Sequence, residues 1–433
     1  MSDVAGIDAA LSSARPQVVG ALLRYFRDLD VAEEAFQEAC LRALKNWPLN
    51  GPPRDPVAWL IFVGRNCALD EARRRRKQTA LPPDDLISDL EDTEGALAGG
   101  LDDAHYRDDV LRLMFICCHP GLPATQQIAV ALRIVSGLTV KEIARAFLVS
   151  ESAMEQRITR AKRAIAAADV PFEAPGAPER AHRLAAVAAM IYLVFNEGYS
   201  ASGGDSHVRV SLCDEAIRLV RLLLRLFPAE PEIMGLAALL LLQHARTPAR
   251  LDTNQDIVLL EDQDRGRWNR EMIDEGLVLV EKALRHWRPG PYQVQAAIAA
   301  VHAQAMRAQE TDWEEIDRLY AVLERLQPSP VVTLNRAVAV EKIRGPAAAL
   351  AMIEPLAGRL SGYFHFHGVK GAWLYALGRE DEGRAAFDRA IALANTPAQA
   401  AHIRQHLDRL VAPGGLSRAD SDARGSAGTT GRT

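Results

Sequence analysis

Aromatic residues make up only 6% of the 433 residues, and there are only five cysteines. Few aromatics in a chain rich in Ala, Leu and Arg leave no competing strand-dominated reading and point to an all-α protein. The cysteines (Cys40, Cys67, Cys117, Cys118, Cys213) are odd in number, sit in apolar helical patterns and lack paired metal spacing. That excludes a disulfide framework and makes buried reduced thiols in a cytoplasmic protein the expectation. Long apolar runs are also missing. The most apolar, Ile233 to Gln243, is too short to cross a bilayer, and the N-terminus lacks a basic-then-apolar signal, so no membrane partner is expected. No nucleophile and base constellation and no phosphate-binding glycine loop occur, so the expectation is a protein that is not an enzyme and needs no cofactor.

An excess of basic charge is absent too, since the formal net charge is -5. The average conceals segregation along the chain. Residues 70–77 hold five basic residues (Arg73 to Arg76 and Lys77) against Asp70 and Glu71, a cluster suited to phosphates. Residues 80–110 hold ten acidic residues and one arginine among Pro and Gly, the composition of a solvated linker. This length has room for two or three cores. Helical periodicity fills one block from about Arg15 to Gln78, a second from about Asp108 to Ala168, and a third from Glu179 to about Leu410. A Gly, Ser and Thr-rich tail, expected to be disordered, follows.

The strongest local signal runs from Leu138 to Ile165 and reads as helix, tight turn, helix. Ile143, Ala144 and Phe147 give the first helix an inner face, Leu148 to Ser150 make the turn, and Ser150 or Ser152 can cap the second helix. The second helix exposes Glu155, Gln156, Thr159, Arg160 and Lys162, side-chain types that reach base edges and phosphates in a major groove. An ordinary helical hairpin is the bland alternative. Upstream, Asp30 to Leu44 forms an amphipathic helix with Val31, Ala35, Phe36, Ala39 and Leu44 inward and Asp30, Glu33, Glu34, Gln37 and Glu38 largely outward. That acidic face calls for a basic partner. The next helix, Pro56 to Lys77, carries Trp59, Phe62, Arg65 and Asn66 and ends in arginines. Aromatics beside cations suit unstacked bases and single-stranded backbone, although the arginine run also reads as a solvated helix end.

The succession of AEEAFQEACLRAL, WLIFVGRNCALDEARRRR, an acidic linker and TVKEIARAF resembles extracytoplasmic-function sigma factors over residues 15–168. The resemblance implies a region 2 domain at 1–79, an acidic linker at 80–107 and a region 4 helix-turn-helix at 108–170. It implies docking on core RNA polymerase through Asp30, Glu33, Glu34, Gln37 and Glu38. It also implies minus-ten recognition and melting by the loop Trp47 to Asp55 and by Trp59, Arg65, Asn66, Asp70, Arg73 and Arg74. Glu155, Gln156, Thr159 and Arg160 match positions that read the minus-35 element of promoter DNA. Met154 and Ala153 depart from the usual residues, so no promoter sequence follows.

From Ala297 onward the chain repeats. Ile316, Ala349 and Gly383 are 33 and 34 residues apart, as are Tyr320, Ile353 and Phe387, and Leu323, Leu356 and Ala390. Turn residues Asp312, Gly345 and Gly378 recur at 33 and 33. This period resembles tetratricopeptide repeats, with Gly383 and Asn395 departing from the pattern, and predicts a helical-repeat solenoid over 179–410 with a tail at 411–433. Together with FICCHPGLP (Phe115 to Pro123), NEGYSASGGD (Asn196 to Asp205) and LLEDQDRGRW (Leu259 to Trp268), it resembles a sigma subgroup whose extension controls activity through intramolecular contact with the sigma domains. The residues themselves leave other readings open. Cys117, Cys118 and His119 fit core packing better than zinc. Asp252, Asp256, Glu261, Asp262 and Asp264 fit a solvated or interdomain loop better than a cation site. Asn196, Glu197 and Tyr199 fit a helix end or an interface with the sigma core. The competing whole-chain reading is a classical helix-turn-helix regulator with a repeat-type sensor domain.

Overall fold

In a computed structural model of the chain the described residues are 4–77, 103–119, 121–147, 149–167, 177–199, 206–252, 258–394, 400, 403–405, 407–408 and 410. The acidic linker and the C-terminal tail therefore fall mostly or wholly outside them. The protein is all-α, with no strand among the described residues. It divides into two compact units, residues 1–198 with 208–219, and residues 199–207 with 220–433.

In the first unit, helices α1 (Val4–Phe26), α2 (Leu29–Asn50) and α3 (Pro56–Lys77) pack on one another. Local chemistry sets their ends. The Asp28 carboxylate accepts from the Asp30 and Val31 amides at the start of α2. Gly51, at a φ of 80° that disfavours other residues, ends α2 and returns its N–H to the Trp47 carbonyl. Asp55 accepts from the Ala58 amide at the start of α3. Ala35, Phe36 and Ala39 are buried as their spacing predicts, but the helix also buries Ala32, Glu33, Ala43 and Trp47, whereas Leu44 is exposed.

Helices α4 (Asp103–Cys117), α5 (Ala124–Ile134), α6 (Val140–Ala146) and α7 (Glu151–Ala167) complete the part of this unit that bears the site. Helix α4 lies against α1. At Gly20 the approach is so close that an added Cβ would stand 2.9 Å from the Asp109 carbonyl oxygen. Val18, Val19 and Leu22 of α1 are buried, as are Val110, Leu111 and Met114 of α4. Asp109 is buried as well, bonded to Arg112 at 3.1 Å and close to Arg24 at 3.5 Å. Cys117 and Cys118 are buried free thiols, and burial raises both, Cys118 to about 12. His119 Nδ1 accepts from the Gly121 amide, a turn contact. No group of three or more His, Cys, Asp or Glu suited to a metal occurs among the described residues. Helix α8 (Ala177–Tyr199) and the first half of α9 (Ser206–Leu226) belong to the same unit, where the Cys213 thiol meets the Phe195 carbonyl.

The second unit centres on α10 (Pro231–His244), whose run from Ile233 to Leu242 is buried on all sides, as expected of a helix apolar all round. No helix among the described residues is long and apolar enough to cross a membrane. Helix α10 packs on α11 (Arg270–Leu284) and α12 (Pro291–Gln304). Gly235 allows the α12 backbone to approach, since a Cβ there would lie 2.6 Å from the Gln293 nitrogen. LLEDQDRGRW acts as a staple. Asp264 accepts from Gly266, Trp268 is buried, and Arg265 donates to the carbonyls of His302 and Ala305 at the end of α12.

Helices α13 (Trp313–Leu326), α14 (Pro330–Arg344), α15 (Pro346–Ile353), α16 (Phe364–Ala376) and α17 (Glu380–Ala392) follow, each packed on the next. Of the repeating positions, Tyr320 and Leu356 are half-buried, and Leu356 lies in a 3-10 turn rather than an α-helix. Asp312 caps α13, and Gly345 and Gly378, at φ of 82° and 75°, precede α15 and α17. Ile316, Ala349, Ile353, Phe387 and Ala390 are buried. Gly371 and Gly383 let α16 and α17 touch, with the Phe387 and Tyr375 rings against them.

Candidate nucleic-acid interface

The helix-turn-helix is fixed by two capping arrangements. Thr139 and Glu142 form a reciprocal box at the start of α6, in which the Glu142 carboxylate accepts from the Thr139 amide and hydroxyl at 2.7 Å each and the Glu142 amide donates to Thr139 Oγ1 at 3.2 Å. Ser150 rather than Ser152 caps α7, accepting from the Ala153 amide at 3.2 Å. Ile143 and Ala144 are buried and Phe147 is half-buried. Met154, Ile158, Ala161 and Ile165 form the buried stripe of α7. The opposite face carries Glu155, Gln156, Thr159 and Arg160, all exposed, with Arg160 reaching back to Gln156 at 3.3 Å. Four side chains with donors and acceptors thus stand on one free helical face, the arrangement that enters a major groove.

Lys162 departs from the outward reading. It turns to α2, where its Nζ lies 2.7 Å from Asp30 Oδ1 and 2.6 Å from Glu33 Oε2. Burial opposes its charge, but the hydrogen bonds to Asp30 and Glu33 outweigh that and raise its affinity for the proton. Glu33, placed on the outward face by periodicity, is only 5% exposed. Its other partner is Arg15 at 3.0 Å, which also donates to the Ile134 and Arg133 carbonyls at the end of α5 and stacks over Phe36 at 5.1 Å. Burial lowers the Arg15 guanidinium below its ordinary range, with Glu33 opposing the shift.

The rest of the acidic face of α2 is open. Glu34, Gln37 and Glu38 are exposed, and Glu38 stands 3.5 Å from Arg42. Along the same side, one and two turns further on, lie Leu41 and Leu44, 55% and 46% exposed. Steps of three and four from Gln37 and Glu38 lead to both leucines, so the surface is an acidic patch continued by an apolar one. Counting forward from Gln37 and Glu38 finds this pair; grouping Leu44 with the apolar face hides it.

On α3, Trp59 does not stand free on the surface. Trp59 is 9% exposed and packs against Trp47, ring centroids 5.5 Å apart. Trp47 itself is inside α2, so the connecting loop is residues 51–55 rather than beginning at Trp47. Arg65 is exposed and lies 5.0 Å over the ring of Tyr25, itself half exposed, and Asn66 is half-buried nearby in sequence. This supplies an accessible aromatic and cation pair, formed by Tyr25 of α1 and Arg65. Asp70, Arg73 and Arg74 continue α3, and their side chains lie outside the described ones.

Residues 11–78 match the family described as Sigma-70 region 2, and residues 112–165 match Sigma-70, region 4. Residues 183–284 match a third, Family of unknown function (DUF6596). Over 412 residues the chain is 70% identical to an uncharacterized protein of Rhizobium meliloti (strain 1021), covering 95% of this chain and 97% of that one. No solved structure matches the chain.

Proposed function

Because this chain belongs to the sigma-70 family, as a factor of the extracytoplasmic-function type with a C-terminal extension, we propose that it docks on core RNA polymerase and opens promoters under control of that extension. Promoter recognition is the property its sigma regions carry, and such factors are not enzymes. The observation that supports the finer reading is the pairing of two surfaces in one unit. One is the exposed acidic and leucine face of α2, suited to a basic protein surface. The other is the free polar face of α7, suited to duplex DNA.

In this reading Glu34, Gln37 and Glu38, with Leu41 and Leu44, meet the polymerase, and Asp30 and Glu33 join them once released from Lys162. Arg65, Asn66, Asp70, Arg73 and Arg74 act on the minus-ten element, with Tyr25 as the accessible ring and Trp59 as support for α3. Glu155, Gln156, Thr159 and Arg160 read the minus-35 element. A classical regulator has no use for the region 2 match over residues 11–78, which favours the sigma reading. The extension, read as a helical-repeat solenoid, modulates this activity through intramolecular contact, and the protein works in the cytoplasm, where its template is.

Arg160→Ala tests the assignment of α7. Its side chain is exposed and carries no part of the core, so folding is expected to be unchanged within about 0.5 kcal/mol. Loss of a base or phosphate contact costs about 1–3 kcal/mol, so affinity for a minus-35 duplex in a mobility-shift assay is expected to fall about tenfold or more. Equal affinity of the variant and the parent would remove Arg160 from the reading face.

A further inference from the structure

We infer that the second unit holds a binding site for a phosphate group, formed by the guanidiniums of Arg246 and Arg250 just beyond the end of α10. Two stretches that the sigma regions leave without a task meet there. Tyr199 comes from NEGYSASGGD, and Gln263, Arg265 and Trp268 come from LLEDQDRGRW. All of these residues belong to the second unit.

Aromatic faces set the two arginines in place. Arg250 lies 3.6 Å over the ring of Tyr199 and donates through Nη1 to the Tyr199 carbonyl at 2.9 Å. Arg246 lies 5.8 Å over the ring of Trp268, and its Nε donates to Gln263 Oε1 at 3.4 Å. A stacked guanidinium keeps its edge free to donate. Nη1 and Nη2 of Arg246, and Nε and Nη2 of Arg250, have no acceptor among the described residues and are not among the buried polar atoms, so each arginine turns a two-nitrogen edge to solvent.

Charge adds a second reason. No carboxylate among the described residues pairs with Arg246 or Arg250. Burial lowers the Arg246 guanidinium below its ordinary range; Tyr199 opposes the shift and the Arg250 charge adds to it. Arg265, whose nitrogens donate to His302, Ala305 and Thr311, is lowered by burial and then by Arg246. Burial, with Arg246 and Arg265 after it, holds the His302 imidazole down to about 4, so it is neutral at pH 7 and offsets nothing. Like charges gathered in a partly buried place cost free energy that an entering anion recovers. Two forked edges suit a tetrahedral oxyanion, which has more oxygens to offer than a carboxylate. A phosphate group also carries about -1.5 to -2 charges near pH 7, closer to the sum of the two arginines than a single carboxylate charge. Free phosphate and the phosphate ester of a small molecule share this chemistry.

Titration calorimetry on the full-length protein, in a buffer free of phosphate, separates the two sources. Inorganic phosphate and phenyl phosphate are titrated in separate arms, with succinate at equal ionic strength as the carboxylate. Neither polymerase nor DNA enters the reaction, so its outcome is independent of the sigma reading. The parent is expected to bind at least one phosphate probe at a single site, and succinate at least about tenfold more weakly. The tighter of the two phosphate probes identifies the free ion or the ester as the source. Arg246→Gln and Arg250→Gln are each expected to weaken binding about tenfold or more, and Arg250→Lys, which keeps the charge and loses the fork, to weaken it as well. Arg267→Gln, at an exposed arginine of the same stretch, is the control and is expected to bind as the parent does. Helical circular dichroism establishes that each variant is folded, and Arg250→Lys carries the test if a glutamine variant is not. No heat of binding and no rise in the thermal midpoint of the parent with either phosphate probe at millimolar concentration would overturn the site. Equal affinity in the parent and every folded variant places the anion elsewhere and overturns it too. Succinate bound as tightly as phosphate refutes the assignment to a phosphate group.

Discussion

Charge reversal at two positions, Glu34→Lys with Glu38→Lys, is expected to reduce binding to core RNA polymerase about 100-fold or more. Both carboxylates are exposed on α2 and neither belongs to the core. Placing like charges across an interface costs several kcal/mol, and each 1.4 kcal/mol is about tenfold in affinity. Folding is expected to stay within about 1 kcal/mol of the parent, because surface substitutions of this kind change stability little. Fluorescence titration with purified core enzyme reads the effect, and affinity for an isolated minus-35 duplex serves as the internal control, expected to be retained. Normal holoenzyme formation by the double variant would displace polymerase from this face of α2.

Trp47→Ala is expected to be the most destabilising single change in the first unit. Trp47 is 2% exposed and packs on Trp59, so removing the indole leaves a cavity at the junction of α2 and α3. Deleting a large buried aromatic costs about 3–5 kcal/mol, a large part of the roughly 5–15 kcal/mol that stabilises a folded domain. Denaturant unfolding followed by helical circular dichroism reads this, and promoter opening is expected to be lost with it. Trp59→Leu distinguishes support from direct base contact. An aliphatic side chain refills part of the junction but offers no ring for a base to stack on, so opening is expected to follow stability, staying near the parent value wherever the variant remains folded. Stability equal to the parent in Trp47→Ala would contradict the packing described here.

The comparison of pattern with structure turns on the same residues. Helical period alone places Ala35, Phe36 and Ala39 inside and Glu34, Gln37 and Glu38 outside, and the structure agrees. The period cannot anticipate Glu33, because its burial is decided by Arg15, 18 residues earlier, and by Lys162, 129 residues later. A charged residue moves inward only when such partners arrive, and tertiary pairing leaves no mark on local spacing. The packing of Trp59 is hidden from local spacing for a related reason. An aromatic near arginines reads as a base platform, yet Trp47 is one buried position of the preceding helix and captures it first. The capping chemistry of Thr139, Glu142 and Ser150 is wholly local, so the helix-turn-helix is legible down to its turn. Two separate sigma blocks joined by a linker are an expectation that composition supports, and the structure gathers both into one compact unit because α1 and α4 share buried apolar faces.

The central claim, that this chain directs promoter-specific initiation, is tested most directly by run-off transcription. The reaction combines core RNA polymerase, the full-length protein and a library of DNA fragments from the genome that encodes it. The account predicts transcripts that require the added protein, that start a fixed short distance downstream of shared minus-ten and minus-35 elements, and that are lost with the Glu34 and Glu38 reversal. Transcription that is the same with and without the protein, when the protein is folded and the core enzyme responds to another sigma factor, would contradict it.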